Sequence, residues 1–225
     1  MKKSARIAGI IFLAIAFVDV LLLAIGNETA PVYIKPFLIP ALAVATLCAL
    51  LPEHKGKLTN LLVTGMAFHW AGDVLLEFSD DGFIFFALGL GAFLVGHLFY
   101  ISVIMNNVGD IKGWKESIVW SLPLVIGPVA AAAFNIGFPM TAALIIYAIV
   151  LPFVPAFGGI WALRRRPLAW RIIIGGLLFI FSDTLVAVNV FYDTNFFLRH
   201  AIVIATYLAA ELLLVSTMAR WIAEK

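Results

Sequence analysis

Charge is scarce in this chain. Asp, Glu, Lys and Arg make up 12% of its 225 residues, about half the share found in soluble domains. So little polar surface could not cover a soluble globule of this size. Cysteine is scarcer still. Cys48 stands alone, which excludes an intrachain disulfide and a cysteine metal cluster. Period-two alternation is missing, so the chain does not read as a transmembrane barrel. There is no glycine-rich phosphate loop and no G-x-S-x-G nucleophile elbow. What the chain has is apolar: 64% of residues are hydrophobic. That rules out disorder and leaves a polytopic membrane protein.

A spanning helix with a short loop takes roughly 25–28 residues, so about eight spans fill the chain and leave no room for a soluble domain. Eight apolar stretches are legible, over residues 7–25, 36–51, 61–78, 83–105, 117–133, 140–161, 171–191 and 201–221. Turn chemistry separates them, as at Gly26-Asn27, Pro52-Glu53, Ser79 to Gly82, Asn135-Ile136-Gly137 and Asp193-Thr194-Asn195. The fold class expected is an all-α membrane helix bundle in one domain. The first span follows a basic segment but is too long for a typical signal-peptide core, so a retained anchor is expected.

The basic residues orient the bundle. Of the 15 Lys and Arg residues, all but Lys35 and Arg199 fall at the termini or in loops on one side. By the positive-inside rule that side, with both termini, is cytoplasmic. Trp114, Trp120, Trp161, Trp170 and Trp221 cluster at the same boundary, as an aromatic belt would. Spans three and seven also echo one another. An offset of 110 residues sets Gly65 on Gly175, Gly72 on Ser182, Asp73 on Asp183 and Leu75 on Leu185. A parallel 4+4 duplication, with its pseudo-twofold along the membrane normal, would produce this match.

Ionisable side chains in hydrocarbon are expensive, at least ~2.5–3.5 kcal/mol each on insertion scales. The spans nevertheless carry Asp19, His69, Asp73, Glu77, His97, Asp183 and Glu211. His69, Asp73 and Glu77 follow at four-residue steps along one helix face. Glu77 reaches the headgroup level and reads as a solvated carboxylate. Asp19 reads as structural. Asp73 and Asp183 lie deeper, and no cation in their own spans neutralises them. His97 and Tyr100 share a stripe in span four, as Tyr207 and Glu211 do in span eight. At the outer mouth Lys35 precedes Pro36, where a cation could hold a lipid phosphate.

Two carboxylates at similar depth in a low-dielectric bundle cannot both carry charge cheaply. One keeps a proton, which gives an acid beside a base. That arrangement suits hydrolysis of an acid-labile bond, and it equally suits a proton relay in a small transporter. His69, Asp73, His97 and Asp183 could instead form a zinc site of a lipid hydrolase. A non-catalytic lipid-binding scaffold is a further alternative.

Several segments together resemble the lysoplasmalogenase, or YhhN-like, family. They are Lys35-Pro36; Phe68 to Leu76 with His69, Gly72 and Asp73; Phe86 to Gly89, Phe93, Gly96-His97 and Tyr100; Gly176 to Phe179 with Ser182-Asp183; and Tyr207 with Ala210-Glu211. The resemblance covers nearly the whole chain in order. It implies an eight-helix hydrolase of the bacterial cytoplasmic (inner) membrane that cleaves the vinyl ether of lysoplasmalogens to a fatty aldehyde and a glycerophospho-base. It implies that Asp73 and Asp183 carry the reaction, with His97 and Tyr100 orienting a carboxylate or the water. Lys35, His69, Ser182, Tyr207 and Glu211 would line the substrate site. The expected partners are the bilayer and a lysophospholipid, with no nucleic acid, no cofactor and no metal. The family often has Ser where His69 stands and Gln where Glu211 stands, so both positions add titratable groups here.

Overall fold

A computed structural model describes residues 2–27, 29–79, 82–132, 140–192 and 198–225. All its regular elements are helical: α1 (Lys3–Ala24), α2 (Thr29–Ile34), a 3-10 turn (Lys35–Phe37), α3 (Leu38–Leu50), α4 (Lys57–Glu77), α5 (Phe83–Val108), α6 (Gly113–Ala132), α7 (Met140–Val150), α8 (Phe153–Leu163), α9 (Ala169–Tyr192) and α10 (Arg199–Ala223). Among the described residues, six stretches are long and apolar enough to cross a membrane: Lys3–Ala24, Thr29–Leu50, Phe83–Val108, Leu144–Leu163, Ala169–Val190 and Arg199–Ala223. The protein is thus an integral membrane helix bundle. The other two expected spans, α4 and α6, have 21 and 20 residues. Their apolarity is diluted, in α4 by His69, Asp73 and Glu77, and in α6 by Lys115, Glu116, Pro123 and Pro128.

One span expected to be continuous is broken, and one is preceded by helix that was not expected. Before span two, expected over 36–51, stands α2, whose first turn is capped by the Asn27 side chain through the N–H groups of Thr29 and Ala30, 3.2 and 3.1 Å away. It then tightens at Lys35-Pro36 before α3. Span six breaks at Leu151-Pro152, where proline has no N–H to continue the helix. A hydropathy window averages across that break. The tight turns expected at 80–81, 135–137 and 193–195 lie outside the described residues.

The termini share one face. Lys2 reaches Leu51 O and Glu53 at the end of span two, and Lys225 donates to Asn106 O at 3.0 Å. The even crossing number read from the basic loops requires this. Thiol labelling of single-cysteine variants should reach positions 57, 112 and 165 and the C-terminus from the cytoplasmic side. It should reach 81, 137 and 193, which lie outside the described residues, only from the other side. Cytoplasmic labelling at 81 or 193 would overturn the span count.

Helix pairing follows the repeat seen in the sequence. α1 packs on α3 and α4 on α5 in the first half; α6 packs on α7 and α8, and α9 on α10, in the second. α8 also meets α5, as α3 meets α10. Register agrees as well. A Cβ at Gly72 would lie 2.7 Å from Phe93, and Ser182, at the equivalent place, bonds Val203 O at 3.0 Å. Phe93 and Val203 are themselves 110 residues apart. Small residues at these crossings let the helices approach closely, as membrane bundles require. A Cβ at Gly96 would fall on the His69 imidazole.

Two tryptophans depart from the expected belt. Trp114 and Trp170 are exposed, but Trp161 and Trp221 are buried and meet edge to face with ring centroids 3.8 Å apart. Beside them Arg164 fastens the neighbouring loops. Its guanidinium holds Glu116 through two bonds of 2.8 and 2.7 Å, and it also binds Val108 O and Asp110 O. The Arg164 bonds, with the Lys112 N–H, lower the Glu116 carboxyl from its usual 4.5 to about 2. A lowered native value means that the clasp contributes fully above about pH 4.5, and that this contribution fades as pH falls toward about 2. Wild type should therefore melt above Glu116→Gln at pH 7, and the gap should narrow at pH 3. An equal gap at both pH values would show that the ion pair adds nothing through its charge.

Candidate functional site

Asp73 of α4 and Asp183 of α9 line one cavity of about 510 Å³. Its volume is within the range of roughly 300–1,000 Å³ common to ligand sites. The wall is otherwise largely apolar, with Phe86 and Phe93 of α5, Leu122 and Ile126 of α6, and Pro152 and Pro155 at the break of span six. Each aspartate is held by a tyrosine from another span. The Tyr207 hydroxyl donates to Asp73 Oδ2 at 2.8 Å, and the Tyr147 hydroxyl donates to Asp183 Oδ2. Both tyrosines line the same cavity. A phenol that donates to a carboxylate fixes its plane and shares its charge without adding a formal one.

Tyr147 is absent from the residues expected from sequence. It stands in the run Leu144-Ile145-Ile146-Tyr147-Ala148-Ile149-Val150. A lone hydroxyl in such a run was the available signal, since a buried tyrosine O–H needs an acceptor.

The remaining expected residues divide into those at the cavity and those behind it. Lys35 and Ser182 line the cavity. Lys35 is already engaged by Glu77, at 3.1 Å, so the carboxylate expected to be solvated is a partner of the cation. Ser182 spends its hydroxyl on Val203 O, as a helix tie. His69, His97, Tyr100 and Glu211 do not line the cavity. They form a buried polar layer beside it. Glu211 accepts from His69 Nδ1 and, at 2.8 Å, from the Tyr100 hydroxyl. The His69 ring is packed among Phe93, His97, Tyr100 and Phe179, with centroids 4.6–5.5 Å away, and its Nε2 is buried without a hydrogen bond. His97 Nδ1 is 2.9 Å from Phe93 O. A carbonyl only accepts, so Nδ1 carries the proton there. Tyr100 thus orients Glu211, and His97 is turned to its own helix backbone.

His69, Asp73, His97 and Asp183 do not converge as a ligand set. Among the described residues, no three His, Cys, Asp or Glu side chains group as a metal site would require.

The class these features define is a helical membrane protein that sets paired aspartates, Asp73 buried and Asp183 half-buried, on one largely apolar cavity. Residues 30–218 match the YhhN family model, and the chain belongs to the YhhN family. The match runs from α2 into α10 and includes every cavity residue named above. No curated protein and no solved structure matches the chain.

Proposed function

We propose that this YhhN-family protein hydrolyses the vinyl ether bond of lysoplasmalogens, working in the cytoplasmic membrane of a bacterium. The observation that carries the reading is the placement of Asp73 and Asp183 on one apolar cavity, each steadied by a tyrosine. A vinyl ether hydrolyses by taking a proton on carbon, which leaves an oxocarbenium ion. Water adds to that ion, and the hemiacetal expels the glycerol oxygen as an alcohol and becomes the aldehyde. One aspartic acid donates the first proton. The other, as a carboxylate, stabilises the cation and takes a proton from the water. One water is consumed, and no oxidant or metal is needed. The apolar wall accepts the single hydrocarbon chain of a lysolipid.

Mass spectrometry of purified protein incubated with lysoplasmenyl-ethanolamine tests the reading. Fatty aldehyde and glycerophosphoethanolamine in equal amounts are expected. Lipid counterflux in proteoliposomes with neither product would point to a carrier instead. Lys35 borders the cavity at its outer end, and its proposed role is to hold the phosphate. Lys35→Ala should then raise KM far more than it lowers kcat, the pattern of lost ground-state binding. A pure loss of kcat would reject that role.

A further inference from the structure

A second cavity, of about 530 Å³, adjoins the first at the outer end of the bundle. Lys35, Leu76, Phe86, Val186, Val203 and Ile204 border both. The outer cavity is markedly more polar than the inner one. Its described charged groups are Asp19, Lys35, Glu77 and Arg199, two of each sign.

Asp19 is the unusual member. It is fully buried, and neither carboxylate oxygen has a hydrogen-bond partner among the described residues. It lines the same cavity as Lys35 and Glu77, but Lys35 gives its ammonium to Glu77. Arg199 Nη2 lies 2.8 Å from His200 Nε2. A carboxylate buried in a membrane protein without a hydrogen bond is strongly disfavoured, so this one points to a missing cationic partner. Among the described residues the charges balance, which favours a net-neutral occupant over a simple anion. A zwitterion fits: its phosphate would lie toward Lys35, its ammonium toward Asp19, and its chain would run into the inner cavity. A primary ammonium is favoured over a trimethylated one, because only the former donates hydrogen bonds to the two bare oxygens.

We propose that the outer cavity is a headgroup subsite for a zwitterionic lysolipid, with Asp19 as the counterion of its primary ammonium. The inference rests on the reading that the inner cavity takes a lysophospholipid. It adds a headgroup preference, ethanolamine over choline, and the residue that sets it.

Full-length protein and saturated alkyl-ether lysolipids test it by binding alone, since these probes lack the vinyl ether. Wild type should bind alkyl-glycerophosphoethanolamine about tenfold or more tighter than alkyl-glycerol phosphate of equal chain length, the scale of charge-assisted hydrogen bonds. The choline lipid should fall between them. Asp19→Asn should bring the ethanolamine and phosphate lipids within about twofold of each other without weakening the phosphate lipid. Asp19→Glu, which keeps the charge, should retain the preference. Equal affinities in wild type would overturn the proposal even if no Asp19 variant folds. So would a preference that survives in Asp19→Asn. Free phosphoethanolamine binding as tightly as the lipid would also overturn it, by assigning the cavity to a soluble amine. If the Asp19-dependent preference holds but no vinyl ether is cleaved, the hydrolase reading fails and the subsite stands.

Discussion

Asp73→Asn and Asp183→Asn should each lower kcat by at least ~10²-fold, the usual scale for a positioned acid or base. The amide keeps the size of the carboxylate and an oxygen to accept the Tyr207 or Tyr147 hydroxyl, so the helix contacts survive. What it loses is the exchangeable proton in one case and the charge opposite the oxocarbenium ion in the other. Because the two groups act on one proton inventory, the double variant should be little slower than either single. Folding should hold, since an amide removes a charge from hydrocarbon. Single-turnover rates on lysoplasmenyl-ethanolamine, with helicity as the folding control, give the measurement. A well-expressed single variant that turns over near the wild-type rate would make that aspartate structural and the proposed mechanism wrong.

The largest loss of stability is expected at Glu211. In Glu211→Ala, His69 Nδ1 and the Tyr100 hydroxyl both lose their acceptor in a fully buried layer. Each buried donor left without an acceptor costs about 1–3 kcal/mol, and the two together are a large part of the stability of many domains. The variant should express poorly or melt far below wild type in detergent. Replacing the pair together, His69→Ser with Glu211→Gln, should recover most of the loss, because an amide oxygen still accepts the Tyr100 hydroxyl and no imidazole donor is left without a partner. A Glu211→Ala protein that melts with wild type would show that the layer contributes nothing to the fold.

How much of this was legible in the sequence depends on the kind of interaction. Asp73 and Asp183 could be found because charge in hydrocarbon is conspicuous whatever its partners. The repeat in spans three and seven was visible as a fixed offset, and the helix pairing follows it. The partners were not legible. Tyr207 and Asp73 are 134 positions apart, and His69 and Glu211 are 142 apart, so only packing brings them together. Tyr147 was passed over because an apolar run hides a single hydroxyl. The Lys35–Glu77 pair was missed for a related reason: each residue taken alone looked like an interfacial side chain facing water or lipid. Trp161 and Trp221 sat at the expected depth but turned inward onto each other. Depth can be read along the chain, whereas the direction a side chain faces is fixed only by its neighbours.

The cavity wall formed by α6 bears on how the protein should be assayed. That helix contains Pro123 and Pro128 and leans mainly on α7 and α8. Leu124, Val125 and Val129 of the same helix are exposed, which in a bilayer means exposed to acyl chains. A lipid reaching the aspartates past α6 arrives sideways, from the leaflet. Its effective concentration is then a surface density, set by its mole fraction among the surrounding lipids. Diluting the substrate with inert phospholipid at constant total lipid should slow the reaction, whereas diluting whole vesicles with buffer should leave the rate per protein molecule unchanged.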